Sequence, residues 1–313
     1  MPRIGIAAPS NAEENFTKSR ITPYEPGYMV WKMRDHDEDA LNVHYSLRYN
    51  LLPNNPNNPK LTYFARGYDI FASYTGEFDF YAGTRDSDPV VNRLNNPAIH
   101  FRVYGLSYNE KSDSYEQKRN PLSRAIWIDE SSLKSLFGLH LYWLDLAIQH
   151  KSNGQTEGRR SAEDTVKAEA AYKIRNDAYF DTMDFGTNFI SLEGRLITLN
   201  TEKRQSIYLI AKHYFSDDPN GVFWGKYANK VDIDDFDTYG VTWVYSPANN
   251  KNEVSTSITT GSAFKHSSAD VEWLVDGDAI LPIYVRYHYG PLDTLSNYTQ
   301  TKSSLSIGLR FKP

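Results

Sequence analysis

Alternation of apolar and polar residues is the feature that most constrains how this 313-residue chain can fold. In the stretch ALNVHYSLRYNLL, apolar side chains occupy every second position from Leu41 to Tyr49, and polar ones lie between them. Successive side chains of a β-strand point to opposite faces, so this period predicts a strand with one apolar and one polar face. The final stretch, SSLSIGLRF, has the same pattern from Leu305 to Phe311. We therefore predict an all-β protein.

Similar segments recur along the whole chain and are separated by stretches rich in Asn, Pro, Asp and Gly, which favour turns. We identify twelve of them, at 27–34, 40–51, 68–83, 96–106, 140–150, 187–198, 205–214, 236–246, 254–262, 269–274, 280–288 and 302–312. No internal repeat or linker divides the series. We expect a single domain over residues 1–313, with residues 1–26 as a loosely ordered N-terminal extension.

Composition excludes several classes of protein. The net charge of −5 is dispersed along the chain, which gives no support to nucleic-acid binding. The absence of cysteine excludes disulfides and thiolate sites. The first twenty residues contain no hydrophobic core of a signal peptide, so we take the sequence as a mature form with an added Met1, against the alternative of a cytoplasmic protein.

Two all-β architectures fit the alternation. A soluble sandwich or barrel buries its apolar face, whereas a transmembrane barrel turns that face to lipid and lines its interior with polar residues. Strands of about ten residues match what a tilted membrane-spanning strand needs. Aromatic residues cluster at strand ends, as they do at membrane interfaces: Trp31, Phe78, Phe80, Trp143, Trp224, Trp243, Tyr287 and Tyr289. We predict a twelve-stranded antiparallel transmembrane β-barrel with an apolar, lipid-facing surface.

One strand end carries residues that suit nucleophilic catalysis. In AIQHKSNG, His150 is in phase with the apolar face of strand 140–150, and Ser152 follows two positions later on that face. Residues at this spacing lie about 7 Å apart, which an imidazole can bridge. The next strand begins with Asn188 on its own apolar face, so an amide oxygen could orient the His150 ring for proton transfer. An ordinary strand end followed by a turn is the alternative. We expect the other histidines to have no comparable partner.

These residues resemble a known family, the bacterial outer-membrane phospholipase A family. Its signature, His-x-Ser-Asn-Gly, stands here as His150-Lys151-Ser152-Asn153-Gly154. The resemblance extends to YDIFASYTGEFDFYAG, to SDPVVNRLNNPAIHFRVYG and to the later stretch HYGPLDTLSNYTQTKSSLSIGLRF. It implies a calcium-dependent, dimerising enzyme of the bacterial outer membrane that hydrolyses acyl esters of glycerophospholipids.

The resemblance also implies roles for individual residues. Ser152 would be the nucleophile, His150 the general base and Asn188 the orienting residue, although the family's tryptophan before that asparagine is here Thr187. Glu163 or Asp164 would take this place if the alignment shifts. Calcium would be bound by Ser87, between two aspartates in DSDP, and by the backbone of Gln155. A solvated acidic turn is the alternative for DSDP.

The expected topology places these residues together. If both chain termini are periplasmic, odd-numbered strands run outward, so His150 and the loop containing Ser87 meet at the outer leaflet, beside the phospholipid substrate. One departure from the family concerns the dimer, because Gly76 replaces an interface glutamine. We keep two alternative functions: a non-catalytic barrel, either a pore or an inactive relative, and a soluble β-sandwich binding protein.

Overall fold

The computed structural model describes thirteen stretches of the chain. They are 20–35, 39–52, 67–81, 91–105, 107–109, 114–116, 138–153, 186–198, 203–215, 233–247, 252–275, 279–295 and 300–311. Within them, no helix is long and apolar enough to cross a membrane.

Twelve long strands form the body of the protein. They are β1 (Gly27–Arg34), β2 (Ala40–Asn50), β3 (Tyr68–Phe80), β4 (Val91–Tyr104), β5 (Leu139–Ser152), β6 (Gly186–Thr198), β7 (Lys203–Tyr214), β8 (Tyr239–Pro247), β9 (Glu253–Thr260), β10 (Ser267–Val275), β11 (Ile283–Gly290) and β12 (Lys302–Phe311). Each corresponds to one of the twelve segments predicted from alternation, with ends that differ by a few residues.

The sheet closes on itself. Each strand pairs antiparallel with the next one along the chain, and β12 pairs with β1 from Ser304↔Arg34 to Phe311↔Gly27. At this closing pair a Cβ on Gly308 would lie only 2.6 Å from the Cα of Val30, so the close approach of the two strands requires glycine. The predicted twelve-stranded antiparallel barrel is confirmed.

The apolar face lies outside the barrel and the polar face inside. Exposed side chains on the outer wall include Leu146, Ile148 and Leu192, whereas Asp69, His100 and other polar side chains are buried in the interior. This is the arrangement of a membrane barrel, so the soluble sandwich is wrong. The prediction that Trp143 belongs to an outer aromatic belt is wrong. Its side chain points into the barrel, is only 6% exposed and packs against Arg102.

Residues just before β1 extend the barrel wall. Ile21–Pro23 forms a short strand that pairs with β2, from Ile21↔Tyr49 to Pro23↔Leu47. Between this strand and β1, the Tyr24 ring lies 5.2 Å from the ring of His100 inside the barrel. This part of the predicted N-terminal extension is therefore ordered against the wall, and residues 1–19 lie outside the described residues.

Buried ion pairs cross the interior at the end where β1, β3 and β5 stop. Asp293, in the segment that follows β11, accepts Lys32 Nζ at 2.8 Å and Arg34 Nε at 2.9 Å, and Arg34 also pairs with Asp79 on β3. The Asp293 side chain is 1% exposed. Burial would raise the pKa of the Asp293 carboxyl, but Lys32 and Arg34 outweigh it and hold this pKa well below its usual range. The segment after β11 is thus held against the barrel interior by charge.

We expect Asp293→Ala to lower the free energy of unfolding by about 3–5 kcal/mol, because it removes the carboxylate that pairs with the buried Lys32 and leaves the buried Arg34 with Asp79 alone. The measurement is urea unfolding in detergent micelles, followed by tryptophan fluorescence. Asp235→Ala is the matched control, since Asp235 meets the exposed Lys265 only at 3.9 Å and such pairs contribute about 1 kcal/mol or less. Equal losses in the two variants would contradict the assigned role of Asp293.

The pH dependence of this stability has a definite sign. Because the folded-state pKa of Asp293 is lowered, its contribution is present above the unfolded pKa of about 4 and is lost as the pH falls below that value. The difference in unfolding free energy between wild type and Asp293→Ala should therefore shrink in acid.

Candidate active site

The structure brings His150 and Asn188 together on the outer wall. Strands β5 and β6 are antiparallel, and their register places the two residues directly opposite one another. Nδ1 of His150 lies 2.9 Å from Oδ1 of Asn188. An amide oxygen can only accept, so the imidazole must carry its proton on Nδ1 and keep Nε2 free as a base.

Ser152 lies two residues beyond His150 on the same face, opposite Gly186. Among the residues that the structure describes, none forms a hydrogen bond with the Ser152 hydroxyl or with Nε2 of His150. Loose contacts of this kind are usual in catalytic sites without substrate. A Cβ on Gly186 would lie 3.6 Å from Cβ of Ser152 and 3.7 Å from Cε1 of His150, so the glycine leaves the surface beside both residues open.

This polar group interrupts an apolar surface. His150 and Asn188 are exposed, and the preceding outward residue on β5, Ile148, is 62% exposed. Polar groups at the edge of a lipid-facing surface are costly unless they are hydrogen-bonded. The His150–Asn188 bond satisfies one ring nitrogen and leaves the other available.

The strand end that carries this site is fixed from inside the barrel. Lys151 lies between His150 and Ser152 but points inward, where its Nζ is 3.3 Å from Asp237 Oδ2. Asp237 also accepts Lys212 Nζ at 2.6 Å and the Tyr214 hydroxyl at 2.7 Å. Burial would raise the pKa of Asp237, but Lys212 and Lys151 outweigh it and lower this pKa well below the usual range. Asp237 therefore stays ionised and ties the end of β5 to β7.

The neighbouring strand end is fixed through the backbone. The amide of Phe215, just after β7, donates to the carbonyl of Asn188 at 3.0 Å. The amide of Lys212 donates in turn to the carbonyl of Thr238 at 2.8 Å, within the turn that contains Asp237. Both strands that carry the candidate site are thus attached to the segment between β7 and β8.

A second serine–histidine arrangement lies inside the barrel, and sequence reasoning missed it. Ser73 Oγ is 2.9 Å from Nε2 of His100, whose Nδ1 is 2.8 Å from Oδ1 of Asp145. The expectation that no other histidine has a comparable partner is therefore wrong for His100. The missed signal was the position of these residues on the polar faces of three consecutive strands, β3, β4 and β5.

The geometry favours a structural role for this inner group. His100 is 1% exposed and stacks on Phe71 at 4.4 Å, and Asp145 also accepts Arg102 Nε at 2.7 Å. The strand amides around it are engaged in sheet pairing, so they are not free to bind an oxyanion. The outer group around His150 is the one that a lipid can reach.

The expected calcium ligands, Ser87 and Gln155, lie outside the described residues, and so do the alternative orienting residues Glu163 and Asp164. In the described part of the chain, no group of three or more His, Asp or Glu side chains is arranged to hold a metal ion. Next to Ser152 in the chain, Asn153 carries an amide oxygen, a neutral donor of the type that calcium accepts, but this residue is buried. The two calcium ligands remain a prediction from the sequence resemblance.

A closed meander of twelve antiparallel strands with an apolar exterior is the architecture of an outer-membrane β-barrel. Among solved structures, the chain is similar to outer membrane phospholipase A from Escherichia coli, with 12% identity and a TM-score of 0.61 over 98% of this chain and 99% of that one. An Asn→Ala active-site variant of the same protein gives 13% identity and a TM-score of 0.60, over 100% and 99%.

The calcium-bound dimer of outer membrane phospholipase from Salmonella typhi gives 13% identity and a TM-score of 0.59, over 98% and 99%. No family model matches the sequence, and neither does any curated protein. At this identity the likeness establishes the fold. The resemblance to the phospholipase family is thus confirmed in the fold, and the catalytic roles of His150, Ser152 and Asn188 stay a prediction.

The His150–Asn188 bond predicts one imidazole tautomer. In the neutral imidazole, nitrogen-15 NMR in detergent micelles should show the His150 proton on Nδ1. Asn188→Ala removes the acceptor and should give a mixture of tautomers. The His150→Gln variant assigns the signal, and Asn50→Ala, on the inner face of β2, is the matched control that should leave it unchanged. A proton on Nε2 in the wild-type protein would refute this geometry.

Proposed function

We propose that this protein is a calcium-dependent phospholipase A of the bacterial outer membrane, a serine hydrolase that cleaves acyl ester bonds of glycerophospholipids. The observation that carries the proposal is the 2.9 Å contact between His150 and Asn188 beside Ser152, on the lipid-facing wall of a barrel. Each of the three residues has the chemistry that its role requires: a hydroxyl to attack, an imidazole to take its proton, and an amide to orient the imidazole.

The position of the group fits a membrane lipid as substrate. Acyl chains lie along the exposed apolar side chains of β5 and β6, such as Leu146, Ile148 and Leu192. The ester groups of a phospholipid lie at the edge of the hydrocarbon layer, and we infer that β5 ends at this level. A substrate therefore needs no pocket, because it approaches Ser152 laterally within the membrane plane.

In the first half of the reaction, Ser152 Oγ attacks the acyl carbonyl carbon and its proton moves to Nε2 of His150. When the tetrahedral intermediate collapses, the bond to the glycerol oxygen breaks, and that oxygen takes the proton from Nε2. The lysophospholipid leaves, and the acyl group stays on Ser152.

In the second half, water replaces the glycerol oxygen. It loses a proton to Nε2 of His150 as it attacks the acyl carbon, and collapse returns that proton to Ser152 Oγ and releases the fatty acid. Throughout, Asn188 Oδ1 accepts from Nδ1–H and so stabilises the imidazolium by a dipole rather than by a full negative charge.

We place the site at the outer leaflet. If both termini lie in the periplasm, the odd-numbered strands end at the outer surface, and β5 ends there with Ser152. A healthy outer leaflet contains little phospholipid, so the enzyme acts when phospholipid reaches that leaflet.

The inner ion pairs favour an enzyme over a pore. Lys32, Arg34, Asp79 and Asp293 form a buried network at the end of the barrel that carries the candidate site. Water-filled pores keep their charged side chains solvated, whereas these are 0–4% exposed. An inactive relative remains the competing function, and hydrolysis assays decide between the two.

We expect Ser152→Ala to lower fatty-acid release from mixed phospholipid–detergent micelles by about 10³-fold or more, because the nucleophile is lost. Asn188→Ala should lower it on the order of 10²-fold. Ser73→Ala is the matched control, since it removes the serine of the inner Ser73–His100–Asp145 group and should leave release unchanged. Loss of activity in Ser73→Ala but not in Ser152→Ala would move the active site into the barrel interior.

Calcium is part of the proposal, with Ser87 and Gln155 as its ligands. When bound, the ion would polarise the ester carbonyl and stabilise the negative charge that develops on it. Chelation should abolish fatty-acid release, and added calcium should restore it. Ser87→Ala should weaken calcium binding in isothermal titration, and Ser73→Ala, inside the barrel, should not. Release that persists in excess chelator would remove calcium from the mechanism.

We also propose a homodimer, which the sequence resemblance implies and which a structural neighbour forms. In this chain a Cβ on Gly76 would collide with the ring of Tyr45, so this aromatic side chain covers the place of the family's interface glutamine. Any dimer contact here would therefore be made by aromatic surface rather than by an amide. Sedimentation in detergent, with and without calcium, tests the association.

A further inference from the structure

Asn95 lies next to Ser152 on the outer wall of the barrel. The register of β4 and β5 places these two residues directly opposite each other. Asn95 shares its face with Ile99 and Phe101, whose side chains are exposed. Cβ atoms of directly opposed residues are about 4.5–5.5 Å apart, so the Asn95 amide can reach an atom bound to Ser152 Oγ. Ser152 thus has Gly186 on one side and an amide on the other.

The orientation of this amide is fixed by a tyrosine. The Tyr74 hydroxyl, on β3, donates to Asn95 Oδ1 at 2.5 Å. Tyr74 lies on the side of Asn95 away from Ser152, because β4 separates β3 from β5. With Oδ1 held towards β3, the amide nitrogen Nδ2 is left to face β5 or the membrane.

Glycine at position 76 leaves room for an aromatic ring beside this contact. Gly76 pairs with Asn95 across β3 and β4, and with Tyr45 across β2 and β3. The Tyr45 ring lies over the glycine, and its centroid is 6.1 Å from that of Tyr74. A side chain at position 76 would collide with this ring. The row Tyr45–Gly76–Asn95–Ser152 therefore belongs to one continuous patch on the outer wall.

The amide nitrogen of Asn95 has no acceptor among the described residues. The neighbouring inward-facing Asn96 differs in this respect, since its Nδ2 donates to Gln149 Oε1 at 3.1 Å. A purely structural Tyr74–Asn95 bond would leave two amide protons unsatisfied at the edge of a lipid-facing surface, which is unfavourable. A carbonyl oxygen of a bound ester would satisfy one of them.

We propose that Asn95 is a further catalytic residue, whose Nδ2 donates a hydrogen bond to the carbonyl oxygen of the acyl ester as Ser152 attacks, with Tyr74 as its positioning residue. This inference rests on the proposed hydrolase function. The bond strengthens as negative charge develops on that oxygen, so it stabilises the transition state more than the bound substrate. Asn95 acts on the β4 side of Ser152.

Steady-state hydrolysis of a phospholipid in mixed micelles tests this role. Asn95→Ala should lower kcat about 10–100-fold with little change in KM. Asn95→Asp should lower kcat at least as much, because a carboxylate of the same shape offers the oxygen no hydrogen. Tyr74→Phe should have a smaller effect, since it loosens the amide without removing it. Tyr289→Phe, an exposed tyrosine near the same end of the barrel on β11, is the matched control and should behave as wild type.

A sulfur-substituted substrate separates direct contact from a structural effect. A thionoester offers a weaker hydrogen-bond acceptor at the reacting carbonyl, so wild type should hydrolyse it more slowly than the oxygen ester. If Asn95 donates to that atom, the oxygen-to-sulfur rate ratio should fall in Asn95→Ala. An unchanged ratio, or a kcat within twofold of wild type, would overturn the role of Asn95.

The failure of this inference is distinguishable from the failure of the proposed function. If wild type and Ser152→Ala release fatty acid equally slowly, the hydrolase function itself fails. If wild type is active and depends on Ser152 while Asn95→Ala retains its kcat, only the role of Asn95 fails. Heat-modifiable migration in electrophoresis shows that each variant is folded before it is assayed.

Discussion

Complete pairing of the strand backbones is the constraint on which the rest of this structure depends. The hydrocarbon layer offers no water to an unpaired N–H or C=O group, so a sheet can lie in it only if it has no open edge. Pairing of β12 with β1 removes that edge, and Gly308 lets the two strands approach. Closure also divides the side chains into an inner and an outer set, because they alternate along every strand. The position of a residue in this alternation therefore determines whether its side chain faces lipid or the barrel interior.

This division explains why only one of two similar serine–histidine groups is a candidate active site. Ser73, His100 and Asp145 point inward and form a well-bonded group that a lipid cannot reach. His150, Ser152 and Asn188 point outward, and the described residues use only part of their hydrogen-bonding capacity. The inner group has the more complete geometry, but the outer one lies on the exposed wall. Access rather than bond geometry thus separates a structural network from a candidate active site.

Alternation predicted all twelve strands, because every strand of a membrane barrel has one face in lipid and one in the interior, so apolar and polar residues alternate along it. It also predicted the proximity of His150 and Asn188, since both lie near strand ends that meet in a simple antiparallel pair. It did not predict the inner contacts, because Lys151–Asp237 and Arg34–Asp293 join residues far apart in the chain across the barrel interior. The prediction for Trp143 was wrong for a related reason. It relied on residue type, since tryptophan is common at membrane interfaces. The position of Trp143 in the alternation of β5 instead points its side chain into the barrel, where Arg102 packs against it.

The same alternation links the inner network to the outer site. Lys151 separates His150 from Ser152 in the chain, so the side chain between the proposed base and nucleophile must point inward, where Asp237 holds it. On β6, Thr187 is likewise buried directly before Asn188, whose own carbonyl is held by the amide of Phe215. Strand ends normally fray, yet these two are fixed from behind by the turn between β7 and β8. The proposed site on this exposed wall depends on such support, because the backbone of β5 sets the spacing between His150 and Ser152.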